Sequence, residues 1–117
     1  MSGAAIDRLT DSTFDAEAKN GWVVIEFGAR WCMPCRMLEP VIRQLAASYA
    51  DQVRVMTVDT DEESELTERF SVSTVPTILI LHNGELIRRF VGLTTFERLA
   101  STIEISLQQV NESTTGT

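Results

Sequence analysis

The two cysteines of the chain stand two residues apart in Trp31-Cys32-Met33-Pro34-Cys35, directly after the apolar run Trp22-Val23-Val24-Ile25-Glu26-Phe27. A strand that delivers a Cys-x-x-Cys pair to the start of a helix is an arrangement for exchanging disulfides. Unpaired N–H groups and the positive end of the helix dipole favour thiolate over thiol there. The two-residue gap lets the second sulfur reach back and expel whatever the first has captured. Other uses of the pair are weaker. A structural disulfide closing so small a loop would constrain the unfolded chain little. Zinc normally takes four ligands, and beyond this pair the chain offers one distant histidine, His82, so no metal is expected. Haem attachment needs histidine after the second cysteine, where the sequence has Arg36.

Glu26 is the second chemical candidate. It interrupts a strand that should be buried on both faces. Left there unpaired, a carboxylate costs on the order of a few kcal/mol or has its pKa raised. The alternative is a glutamate at the strand end pointing to solvent. Arg30 and Arg36 flank the cysteines and would either favour the thiolate or be solvated without effect. His82 reads as an exposed turn residue. The acidic cluster Asp59, Asp61, Glu62, Glu63, Glu65 and Glu68 lacks an Asp-x-Asp-x-Asp-Gly calcium loop and reads as a solvated helix start.

The elements that must position these residues follow from pattern. A short strand is expected over 5–8, then a helix capped near Thr10 or Asp11 and ended by Asn20-Gly21. Residues 22–28 read as a central strand. The helix after Cys32 carries Met37, Leu38, Val41, Ile42, Leu45 and Tyr49 at helical spacing, with Pro40 inside it, where it should kink the helix. Strands are expected over 53–58, 77–81 and 86–91, with a short acidic-headed helix over 62–70. His82-Asn83-Gly84-Glu85 marks a tight hairpin. A last helix over about 95–109 has Phe96, Leu99, Ala100, Ile103, Leu107 and Val110 as its apolar stripe. The order βαβαβαββα gives an α/β fold, a mixed sheet with helices on both faces.

With 117 residues, 44% of them apolar, the chain reads as one domain over 1–110 with a frayed polar tail over 111–117. The net charge of −7 argues against nucleic acid and anionic membrane as general partners. No apolar run of about 18 residues is present. Met1-Ser2-Gly3-Ala4-Ala5 has neither the charged start nor the apolar stretch of a signal peptide, so a cytoplasmic location is expected. No Gly-x-Gly-x-x-Gly or other nucleotide motif is present. No cofactor is therefore expected, and electrons must come from a separate protein.

Together these residues resemble the thioredoxin family over about residues 5–108. Trp31-Cys32-Met33-Pro34-Cys35 is similar to the family's Trp-Cys-Gly-Pro-Cys, with Met33 in place of glycine. Phe27, Ala29, Arg36, Pro40, Asp59, Asp61, Val75-Pro76-Thr77, Asn83-Gly84 and Gly92 fall where the family's matching residues would. The resemblance implies a thioredoxin fold, a five-stranded mixed β-sheet flanked by about four helices. It implies a monomeric thiol–disulfide oxidoreductase that reduces disulfide-containing protein substrates through a mixed disulfide and is restored by a thioredoxin reductase. Cys32 would be the exposed nucleophile, Cys35 the more buried resolving thiol, and Glu26, where the family has Asp, the proton acceptor. Pro76 would be cis, with Val75 pairing an extended peptide. Trp31, Met33, Pro34, Val75, Pro76, Gly92 and Leu93 would form the substrate-docking patch. Besides Glu26, three departures stand out: Met33, Thr57 where the family often has lysine, and Gly28 where it often has an aromatic. Two rival functions remain: a more oxidising, isomerase-like variant, and a binding module that uses the docking surface without turnover.

Overall fold

The computed structural model describes residues 6–115, with side chains as far as Gln109. Its elements run β1 (Asp7–Arg8), α1 (Phe14–Ala18), β2 (Trp22–Gly28), α2 (Met33–Ser48), β3 (Val53–Asp59), α3 (Ser64–Arg69), β4 (Thr77–His82), β5 (Glu85–Val91) and α4 (Phe96–Thr115). The sheet order is β1-β3-β2-β4-β5. β3 is parallel to β1 and β2, whereas β4 runs antiparallel to β2 and β5 to β4. The α/β fold read from the sequence is therefore the one observed.

β2 lies at the centre of the sheet, and its alternation divides the core. Val23, Ile25 and Phe27 pack with Leu9, Phe14, Ala18 and Leu66, the layer of α1 and α3. Val24 packs with Leu38, Ile42 and Leu45 of α2 and with Leu99 and Ile103 of α4. A strand repeats every two residues, so Glu26 and Gly28 leave β2 on the α2 face. That parity aims Glu26 at the cysteine helix. Asn83 and Gly84, at φ +51° and +85°, make the β4–β5 turn, in which both central residues need positive φ.

Several boundaries differ from expectation. Asp11 does not cap α1, which starts later at Phe14 with Thr13 as its N-cap. Its carboxylate instead accepts the N–H groups of Glu65 (3.3 Å) and Leu66 (2.9 Å) at the start of α3, while Glu63 accepts the N–H of Asp11 at 2.9 Å. α2 keeps Pro40 inside it, as the sequence placed it. Met37 is exposed, because it lies on the outer side of α2 while Leu38, Ile42 and Leu45 face the sheet. α4 continues past 109 to Thr115, with no glycine or proline between Phe96 and Thr115 to stop it. The first strand's residue 5 and the tail's residues 116–117 lie outside the described residues, as does the side chain of Val110. His82 is not a free turn residue. It ends β4 opposite Trp22 and stacks on the Trp22 indole with centroids 4.3 Å apart, which half-buries it.

Candidate active site

Cys32 follows the loop after β2 and is the N-cap of α2. Its backbone is extended (φ −89°, ψ 106°), and its Sγ accepts the N–H of Cys35 at 3.1 Å. Proline within the first turn needs no N–H partner, so Pro34 suits its place. Cys32 and Cys35 are joined as a disulfide, with Cα atoms 5.3 Å apart. In this oxidised form Cys32 is 3% exposed and Cys35 7%, so Cys32 is not the more open of the two. The cause is the capping geometry: the Cys32 sulfur folds back over the first turn of its helix instead of projecting.

Glu26 is 8% exposed on the α2 face, not at a solvated strand end. Its strand partners are Thr57 on β3 and Ile78 on β4, neither of which can offset its charge. Burial, with a smaller contribution from the negative charge of Glu39, raises its pKa to about 7. A Cβ placed on Gly28 would stand 2.8 Å from Glu26 Oε2 and 3.2 Å from Cys35 Sγ. The carboxylate oxygen and the sulfur are thus no more than about 6 Å apart, within the span of a single water-mediated contact. Glu26, Gly28 and Cys35 line a cavity of about 670 Å³ behind the disulfide.

The flanking arginines are turned to other partners. Arg30 pairs with Asp59 (4.0 Å) and Glu62 (3.5 Å), and Arg36 donates to the Arg30 carbonyl at 2.9 Å. The acidic cluster has a positioning use that composition did not reveal. Asp59 Oδ1 accepts the N–H groups of Asp61 (2.8 Å) and Glu62 (3.2 Å), shaping the turn after β3. Asp61 Oδ2 then accepts the Trp31 indole N–H at 2.9 Å. Trp31, although 70% exposed, is anchored through its one polar atom.

The sheet brings the remaining sequence candidates to one end. Gly28 and Asp59 close β2 and β3, and Thr77 pairs with both Phe27 and Val91. Pro76, preceded by a cis peptide bond, is buried, and its carbonyl accepts the N–H of Gly92 at 2.8 Å. Val75 and Gly92 are half-buried, whereas Trp31, Met33, Pro34 and Leu93 are exposed. Met37 and Val91 add two exposed apolar side chains that motif reading did not include. Met37 lies one helical turn beyond Met33, the spacing that sets two side chains on one face.

The profile of the Thioredoxin family matches residues 5–105. The thioredoxin of Staphylococcus saprophyticus is 36% identical over 100 residues, covering 86% of this chain and 96% of that protein. The thioredoxin of Bacillus subtilis is 37% identical over 95 residues, covering 81% and 91%. Among solved structures, Malassezia sympodialis thioredoxin superposes with a TM-score of 0.79 at 28% identity, covering 89% of this chain and 92% of that one. With its Cys-x-x-Cys disulfide at the head of α2 and these relatives along nearly its full length, the chain belongs to the thioredoxin family of thiol–disulfide oxidoreductases.

Proposed function

We propose that the protein is a cytoplasmic, monomeric reductant of protein disulfides in which Cys32 attacks, Cys35 resolves and Glu26 takes the resolving proton. In the reduced form, the Cys32 thiolate at the N-terminus of α2 attacks a substrate disulfide. A Cys32–substrate disulfide forms and one substrate thiolate leaves. Glu26 accepts the Cys35 proton, and the Cys35 thiolate attacks Cys32 Sγ. The Cys32–Cys35 disulfide forms, and the second substrate thiolate leaves and is protonated. Two electrons have then passed to the substrate, and a separate reductase returns two to the protein. The observation that carries this reading is the approach of Glu26 Oε2 and Cys35 Sγ to the same point beside Gly28, in a cavity away from the docking side. A group with a pKa near 7 is a suitable base at neutral pH. The exposed end formed by Trp31, Met33, Pro34 and Leu93, with Val75, Pro76 and Gly92 beside it, suits an extended peptide.

The test is single-turnover reduction of a protein disulfide. Cys35→Ser should accumulate the mixed disulfide, and Cys32→Ser should not react. Resolution by the parent should quicken as pH rises through about 7. Glu26→Gln should lose that step and run about a hundredfold slower, the lower end of general-base effects. An unchanged rate would remove Glu26 from the mechanism. Equilibration against a thiol buffer separates reductant from oxidant. A potential of about −270 mV, the established thioredoxin value, marks a reductant, and one near about −180 mV an isomerase-like protein. Met33 is 61% exposed between the two cysteines and would be the first residue to exchange in the second case.

A further inference from the structure

Gly28 is not required by its backbone. It closes β2 in an extended conformation and lacks the positive φ of Gly21, Gly84 and Gly92. Glycine inside a strand weakens it and often marks a place where another group approaches closely. Here that group is the end of the Glu26 side chain, 2.8 Å from where a Cβ would stand. Residues 26 and 28 leave β2 on the same face, so the Glu26 carboxyl extends along the strand into the volume a side chain at 28 would fill. Cys35 Sγ borders that volume from α2, at 3.2 Å. We infer that Gly28 is a positioning residue for the proton acceptor: its missing side chain is the seat that holds the Glu26 carboxyl beside Cys35. The inference rests on the reading of Glu26 as the base.

A single added methyl tests the seat. Cys35 Sγ is one bond from the Cβ of a residue fixed on α2, whereas the carboxyl ends a longer and more flexible side chain, so the carboxyl gives way. Its free direction is the cavity behind the disulfide. The charged groups around that cavity are Arg8 of β1, Arg30 of the active-site loop, Arg36, Glu39 and Arg43 of α2, and Asp59 at the end of β3. Displacement therefore takes the carboxyl away from the sulfur, towards water and towards more cations than anions. An aspartate at 26 is one methylene shorter and stays clear of a methyl at 28. The contact of that methyl with Cys35 Sγ is common to both Gly28→Ala proteins, so the two differ only at the carboxyl.

The experiment compares the parent, Gly28→Ala, Glu26→Gln and the double variant Gly28→Ala/Glu26→Asp. Each is loaded as a mixed disulfide between Cys32 and an aromatic thiol, and release of that thiol is followed against pH. The residue-26 carboxyl is titrated separately by carbon NMR, and melting curves verify that each protein is folded. Gly28→Ala should release at least about tenfold more slowly at pH 7, part of the 10²–10⁴ that a positioned base contributes. Its Glu26 should titrate below the parent's. The double variant should return to within about threefold of the parent, the non-additivity of residues in contact. Parent-like release and titration in Gly28→Ala, with Glu26→Gln slow, would overturn the seat and leave the base standing. A double variant slower than Gly28→Ala would also overturn it. Parent-like release by Glu26→Gln would instead overturn the base itself.

Discussion

Glu26 is a buried carboxyl whose strand partners, Thr57 and Ile78, carry no charge to offset its own, and its place costs stability. Folding raises its pKa from 4.5 to about 7, so the native state holds the proton more tightly than the unfolded chain. The associated stability is complete below pH 4.5 and is lost as pH rises through 7, amounting to about 3 kcal/mol. Glu26→Gln carries no such titration. The oxidised variant should be more stable than the parent at pH 8, by up to about 3 kcal/mol, with the difference shrinking towards pH 5. Urea midpoints of both proteins at the two pH values measure this. Trp31 gives a second residue-scale outcome. Removing its anchor with Asp61→Ala should raise KM for a protein disulfide about two- to tenfold, the worth of one hydrogen bond. The Cys32–Cys35 potential should stay unchanged, which a redox titration checks.

Among the elements, α3 depends most on a distant residue. It spans only Ser64–Arg69, and no side chain of its own N-cap, Glu63, caps it. Asp11 supplies the missing acceptor from the loop before α1, and Glu63 returns a bond to the Asp11 backbone. Asp11→Ala should cost about 1 kcal/mol, the usual worth of a capping side chain, read as a lower urea midpoint with an unchanged slope. The redox helix is different: its capping atom is the Cys32 sulfur itself, so the same geometry that starts α2 fixes the reactive pair at its head.

At the scale of the molecule, function collects at one end of the sheet and packing closes the other. Trp31, Met33 and Leu93 are exposed at the end that holds the disulfide, and His82 stacks on Trp22 at the other. If protein substrates dock on the apolar surface, Leu93→Glu should raise KM for a protein disulfide by about tenfold or more, since burying one leucine is worth about 1.5–3 kcal/mol. Reduction of a small-molecule disulfide, which needs no such contact, should be unaffected. His82→Ala should leave both rates unchanged, and steady-state kinetics on the two substrates checks all three expectations. No helix among the described residues is long and apolar enough to cross a membrane.

The features legible in the sequence were those written within a few neighbouring residues. The Cys-x-x-Cys pair, the apolar runs of β2, β3 and β4, the Asn83-Gly84 turn and the order of elements are local patterns, and local backbone preference and periodicity suffice to read them. Glu26 was conspicuous for the same reason, as a charge in an apolar run. What the tertiary structure alone decided is where these patterns meet. Strand parity and the placement of α2 turned Glu26 towards Cys35, and only that meeting sets the carboxyl and the sulfur against position 28, which has no side chain. Asp11 reads in the sequence as a cap of the first helix, and packing gave its carboxylate to α3 instead. Asp61 looked like one more surface acid until the turn after β3 brought it to Trp31. The physical reason is common to all of them: a hydrogen bond or a steric contact between residues far apart in the chain leaves no periodic trace, because its energy depends on packing that exists only after the sheet has formed.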